Sequence, residues 1–506
     1  MDCVRNTAVF AVAVALCTAA LPFGLKAAEP QVVLPATAQG WAELALQDIE
    51  AAYQITAENH PGMADAQNPN FHRQLLHAKT NALLLVPQVN SVYGYEAVID
   101  RFSASLQDGH AGAFAVLPDS VKPIRRWPGF NAVWRGNALW VYHSEQSGVV
   151  AGMQIVSCDG KPVEQLMKDR VFAYAGQVGQ PGHWWSYGSR LMLDDGNPFN
   201  QPLKHCQFVK ADHQVVEVRL NWADRPGSAM QHVEAAYNGD TLPIGLSWQQ
   251  KDIAWIAMPT FSPEPDEIKQ YESLFISLEQ QRPALLEAKA IVLDLRHNQG
   301  GSSYWSRQIA ELLWGKERVE PLRTALFGRT EVWWFASRGN TDYVKSLYDV
   351  LKEQGQTESL PWIQAVGQGM QKSLDSGKAF YVEGDGNNTD ETPAQAAQPV
   401  VLPALQTPVY VIMPGQCASA CLDAVDVFTL FENTKLAGAT SSADSTYMDV
   451  RVQPVSSGLA KVIIPNKVYV NRPRANGQYY TPALAHNELD WSTQALLKKI
   501  AADVKD

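Results

Sequence analysis

Pro408-Val409-Tyr410-Val411-Ile412-Met413 is an apolar run, and Gly415-Gln416-Cys417-Ala418-Ser419-Ala420-Cys421 follows it at once. A helical pattern begins directly afterwards. This order of strand, turn and helix constrains the fold more than any other feature. It asks for a strand buried inside a layered α/β core. It also presents one side chain. A serine at a strand-to-helix turn has its hydroxyl exposed beside free backbone N–H groups, the geometry a nucleophile needs. The same position suits a helix N-cap, so Ser419 alone carries both readings.

A second segment adds the partner such a serine requires. Ala290-Ile291-Val292-Leu293-Asp294-Leu295-Arg296-His297-Asn298-Gln299-Gly300-Gly301 is another buried strand ending in paired glycines. Such a turn can offer N–H donors to an oxyanion. From residue 250 onward, strands alternate with helices. Strands are expected at 253–258, 291–295 and 410–413, with helices at 266–287, 302–314 and 418–431. Residues 383–407, rich in Gly, Asn, Pro and Gln, read as a long exposed loop.

The 506 residues are too many for one core, so several domains are expected. Apolar residues make up 46% and charged residues 18%, which places the chain among globular proteins. The net charge of −11 and the lack of a basic cluster argue against nucleic acid as a partner. Arg5, the apolar run from Ala8 to Leu16 and the small residues up to Ala27 and Ala28 read as a signal peptide. An uncleaved anchor is the alternative, but the run is short for a span. Removing residues 1–28 leaves 39 basic residues against 51 acidic ones, or −12. No later segment resembles a membrane span. The expected units are a signal peptide at 1–28, a helical region at 29–112, a β-rich domain at 113–245 and an α/β core at 246–506.

Four cysteines remain after the signal: Cys158, Cys206, Cys417 and Cys421. An even number in an exported chain allows disulfides, and the pairs expected are Cys158–Cys206 and Cys417–Cys421. The second would tie down the turn that carries Ser419. A fully helical 417–421 would fit it poorly, and four buried free thiols are the alternative. Val149–Val163 reads as a glycine turn, a short strand, an Asp159-Gly160 hairpin turn and a helix from about Glu164. That pattern is similar to the middle of a PDZ domain, which binds extended peptides at a sheet edge. A generic small β-domain with an Asp-Gly hairpin would give the same pattern.

The motifs as a set resemble the tail-specific, or C-terminal-processing, serine peptidases. Asp294-Leu295-Arg296-His297-Asn298-Gln299-Gly300-Gly301 is similar to their Asp-Leu-Arg-x-Asn-x-Gly-Gly. Cys417-Ala418-Ser419-Ala420 is similar to their Ser-Ala-Ser-Ala, and Gly438-Ala439-Thr440 to the Gly-x-x-Thr that follows. Leu106-Gln107-Asp108-Gly109-His110 and the strand at 253–261 also match, in the family's order, over about residues 100–470. The resemblance implies an α/β multidomain protein with a crotonase/ClpP-like catalytic core of stacked ββα units. It further implies a PDZ-like insertion and a polypeptide or peptide substrate. Ser419 would be the nucleophile. Gly300, Gly301 and Ala420 would form the oxyanion hole, and His297 and Asn298 would line the substrate pocket.

One departure matters. Bacterial members use a lysine base, and the matching slot, 25 residues beyond Ser419, holds Asp444. Lys435, Lys461 and Lys467 would have to fold in to replace it. The remaining candidate base is His110, since imidazole titrates near neutrality in solution. This points to the tricorn-core-like branch, with Asp444 or, second, Asp423 orienting the ring. No Cys/His set has zinc spacing and no nucleotide motif is evident, so neither metal nor cofactor is called for. The sequence sets no oligomeric state. Two rival functions stand beside the peptidase: a non-catalytic peptide- or ligand-binding descendant, and an esterase using the same serine.

Overall fold

The structure is a computed structural model that describes residues 34–384 and 403–504. The signal-like segment 1–28 and most of the expected loop at 383–407 lie outside the described residues.

A six-stranded sheet forms the centre. Its strands are Gly245–Gln249, Ile253–Ala257, Ala290–Asp294, Val409–Met413, Thr434–Gly438 and Leu484–Ala485, side by side in chain order. The first pair is antiparallel and every later pair is parallel. All residues of Ile253–Ala257, Ala290–Asp294 and Val409–Met413 are buried, which is why the sequence shows unbroken apolar runs there. Alternate residues feed two cores. Ala254, Ile256, Ile291, Leu293, Val409 and Val411 meet the helices Pro265–Gln280, Tyr304–Trp314 and Ala420–Phe428. Trp255, Val292, Tyr410 and Ile412 meet Trp491 and the C-terminal helix Thr493–Asp503.

The N-terminal region is helical as expected, with helices Ala38–Asn59, Phe71–Leu83 and Val92–Leu106. They pack on a second sheet through Trp41, Ile49, Leu75 and Phe102 against Val462 and Ile464. That sheet joins Gly112–Ala115 to Ala460–Val470, which also pairs Glu331–Phe335 and Tyr447–Pro454. The strand just after His110 thus belongs with the C-terminal sheet, not with the β-rich domain expected to begin at 113.

The β-rich part is an antiparallel sheet of Phe130–Arg135, Ala138–Ser144, Gln154–Cys158, His205–Val209 and Val215–Arg219. Asp159 and Gly160 both have positive φ, 48° and 78°, the two-residue turn their sequence calls for. A short helix, Val163–Leu166, follows. A disulfide joins Cys158 to Cys206 across this sheet.

One buried cation ties the central sheet to the C-terminal helix. Arg296 donates to Asp294 through Nε at 3.0 Å and Nη2 at 2.7 Å, and to Asp240 and the Trp491 carbonyl at 2.9 and 2.8 Å. Trp255 Nε1 donates at 2.9 Å to Asp294 Oδ2, the oxygen that Arg296 Nη2 also binds. Removing one partner from such a cluster leaves a buried carboxylate uncompensated. Arg296→Ala should therefore lower unfolding stability by about 3–5 kcal/mol, read from chemical denaturation.

Candidate active site

Parallel neighbours in a sheet send their following loops to the same edge. Ile291 lies opposite Val409, and Asp294 opposite Ile412. The glycine turn after Asp294 and the serine turn after Met413 therefore meet. Ser419 sits there with φ 56° and ψ −129°, a conformation that costs a non-glycine residue about 1–3 kcal/mol. The helix starts at Ala420, whose N–H has no acceptor among the described residues. The N–H groups of Leu422 and Asp423 turn back to the Ser419 carbonyl, at 2.9 and 3.2 Å. Because residues 417–419 are not helical, Cys417 and Cys421 reach each other and are joined by a disulfide.

The glycine turn is pressed onto this serine. A Cβ on Gly300 would stand 2.9 Å from both the Ser419 Cβ and the Ala418 carbonyl oxygen. Gly300 and Gly301 have φ 110° and 129°, where a side chain adds strain. The Gly300 N–H is already engaged, donating to Asn298 Oδ1 at 2.9 Å. That occupies one of the donors expected for the oxyanion hole. Gly301 keeps an N–H without an acceptor among the described residues. Asn298 is fully buried and its Nδ2 donates to the Met258 carbonyl at 2.9 Å, so it shapes the turn. His297 Nε2 lies 3.2 Å from Thr241 Oγ1 and 3.3 Å from the Asp240 carbonyl, away from the cleft described next.

His110 lines a cleft of about 990 Å³ together with Ala418, Ser442, Ala443 and Asp444. The histidine and the residue before Ser419 thus face one space, although 309 positions separate His110 from Ser419. The Asp108 carboxylate holds the His110 turn. It accepts the His110 N–H and the Ser445 hydroxyl, both at 2.8 Å, and faces His60 Nε2 at 3.3 Å. His60 Nδ1 accepts from the Gly62 N–H, so the proton sits on Nε2 and points at Asp108. Burial pushes the His60 imidazole below its ordinary pKa, against the pull of Asp108. Burial would raise Asp108, but the His60 contact and the His110 amide hold it below the usual carboxylate range. The motif residue Asp108 was legible in the sequence; its partner His60, 48 positions upstream, was not.

Asp444 also reaches the cleft, but its Oδ1 is clamped by Arg474. Arg474 further binds Asp423 at 2.5 Å and Asp426 at 3.1 Å, and Arg472 reaches Asp423 at 2.6 Å. Burial would raise the Asp423 carboxyl, but Arg472 and Arg474 beside it hold it low. Asp423 also accepts the Ser303 hydroxyl at 2.7 Å, so it anchors the nucleophile helix and orients no histidine. His110 and Asp444 make no ion pair, yet each has a buried atom without a partner, Nδ1 and Oδ2. Lys435 is paired with Asp503 at 2.7 Å and Lys467 with Asp449 at 2.5 Å. Burial would lower the Lys467 ammonium, but Asp449 carries it above the ordinary lysine value, so it stays charged.

Two outcomes follow from this geometry. Gly300→Ala should displace the Ser419 turn, reducing Ser419 reactivity at least tenfold while the far-ultraviolet dichroism stays unchanged. The pH response has a defined sign. His60 has a lowered pKa in the fold, so the unfolded chain takes its proton first as pH falls through about 6.5. Asp108, also lowered, keeps its contribution until pH falls below about 3.9. Between these values His60 contributes a share of the lost stability, beside other histidines that burial also holds low, His183, His297 and His486. His60→Gln, which keeps a donor toward Asp108, should make the urea midpoint fall less steeply over that range.

No protein-family model matches the chain, and no curated protein matches it either. Solved structures do. Mature CPAF aligns over 92% of this chain and 98% of its own, at 13% identity and a TM-score of 0.59. Mature CPAF complexed with lactacystin gives 92% and 99%, 13% identity and a TM-score of 0.58. The photosystem II D1 C-terminal processing protease covers 91% of this chain and 97% of its own at 13% identity, with a TM-score of only 0.35. The likeness to CPAF is one of fold: this chain takes the fold of mature CPAF over nearly its whole length, in agreement with the resemblance to the tail-specific serine peptidases that its motifs carry.

Proposed function

We propose that this protein is an exported serine-type hydrolase that cleaves peptide bonds through an acyl-enzyme. The observation that carries this reading is the backbone of Ser419, held at φ 56° on a helix N-terminus and packed against Gly300. Strain of this kind persists where function needs it. In the proposed reaction, Ser419 Oγ attacks the carbonyl carbon of the scissile peptide. Its proton passes to His110, which lines the cleft reached by the neighbouring residue Ala418. The Gly301 and Ala420 N–H groups bind the oxyanion, each such donor contributing roughly 3 kcal/mol. The C–N bond then breaks as His110 gives the proton to the departing amine, and water releases the acyl group by the reverse sequence.

Asp444 is the proposed partner of the His110 ring. Support comes from their common cleft and from the buried atom that each leaves without a partner, His110 Nδ1 and Asp444 Oδ2. The β-rich sheet would present an extended substrate chain in the manner of a PDZ domain. Export is supported by the signal-like residues 1–28 and by two disulfides, which suit an oxidising compartment. Among the described residues, no helix is long and apolar enough to cross a membrane.

A fluorophosphonate probe tests the reading. The mature protein should take the label, Ser419→Ala should take none, and His110→Ala should slow labelling by about a thousandfold or more. Cleavage of simple esters but not peptides would favour an esterase. A tight peptide complex with no labelling would favour a non-catalytic descendant.

A further inference from the structure

The helix Pro181–Tyr187 belongs to the β-rich part of the chain but is pressed against the serine loop. A Cβ on Gly182 would stand 2.3 Å from the Gly415 carbonyl oxygen and from the Ser442 nitrogen. Gln180 fastens the same contact, its Oε1 accepting the Ala443 N–H at 3.2 Å. The residue after Gly182, His183, faces the cleft that holds His110, Ala418 and Asp444.

The protonation of this ring is set by its surroundings. His183 Nδ1 accepts the Gln177 N–H at 2.8 Å, which puts the ring proton on Nε2. Tyr187 packs edge-on against the ring at 5.5 Å and limits its rotation. Burial pushes the imidazole down to about 4, so it is neutral at any pH where the protein would work. Nε2 has no acceptor among the described residues. A ring in this state can donate a hydrogen bond but cannot take a proton, since its lone pair already faces Gln177. It is therefore not a rival to His110 as base.

We infer that His183 Nε2–H is a substrate-binding donor, which accepts no proton and instead holds a backbone carbonyl of the bound peptide in the cleft beside the serine loop. This rests on the peptidase reading of Ser419. A contact to a carbonyl remote from the scissile bond acts equally in ground and transition states, so its loss belongs in KM rather than kcat.

Two variants separate this role from a structural one. His183→Asn keeps an acceptor near the Nδ1 position for the Gln177 N–H but removes the donor at Nε2. His183→Gln carries an amide out to the Nε2 position. With a peptide substrate, His183→Asn should raise KM about tenfold or more with kcat within about threefold, the size of one lost hydrogen bond. His183→Gln should restore KM to within about threefold, and both variants should take the fluorophosphonate label at the rate of the parent. A wild-type KM in His183→Asn, or labelling that falls together with kcat in both variants, would overturn the assignment while leaving Ser419 in place. A parent protein that takes no label would overturn the peptidase reading and this one with it.

Discussion

The Asp108 carboxylate decides where His110 stands. It takes hydrogen bonds from its own turn at His110 and from Ser445 on the loop beyond the serine, and it faces His60 at the end of the first long helix. Those three contacts bring together segments 48 and 337 positions apart. A carboxylate buried this deeply is tolerated because each of its oxygens has a partner. Without it, the short stretch between the helix Val92–Leu106 and the strand Gly112–Ala115 would have no reason to face the cleft. The position of the proposed base is thus a property of a hydrogen-bonded carboxylate turn, not of histidine itself.

A second constraint acts on the nucleophile from three sides. Gly300 presses on the Ser419 Cβ, the disulfide closes the chain from Cys417 to Cys421, and Arg474 grips Asp423 on the helix that follows. Each of these limits how far the backbone at Ser419 can relax toward an ordinary N-cap. Arg474 also holds Asp426 and Asp444, so one guanidinium ties the helix to the loop at 441–445. Three carboxylates around one guanidinium would be unstable without Arg472 close by, which reaches Asp423 and Asp444 in turn.

What the sequence disclosed follows from what periodicity can encode. Val409–Met413 and Ala290–Asp294 were legible because strands covered on both faces must be apolar throughout. The Asp159-Gly160 turn was legible because few dipeptides accept two positive φ values. The disulfide at 417–421 depended on where the helix begins, and the pattern of apolar residues does not fix that boundary to one residue. Asn298 was expected in the substrate pocket on the family resemblance alone. It instead stitches the turn, a role that depends on the Met258 carbonyl 40 positions away. Asp444 was legible as a departure from the lysine pattern, but its grip by Arg474 was not, since nothing in spacing assigns an ion pair. His183 drew no notice, because a lone histidine after Pro181-Gly182 carries no pattern of its own.

The histidines then divide by the partner each ring nitrogen has. His60 and His183 both receive a backbone N–H on Nδ1, which fixes them as neutral donors through Nε2. His110 has a buried Nδ1 with no acceptor among the described residues and receives no such N–H. Its tautomer is therefore not fixed by the resting fold. A base must change protonation state during the reaction, and a ring locked by a backbone donor resists that change. On this ground His110 differs from His183, the other histidine that lines the cleft, and it is the ring that the proposed reaction uses as base.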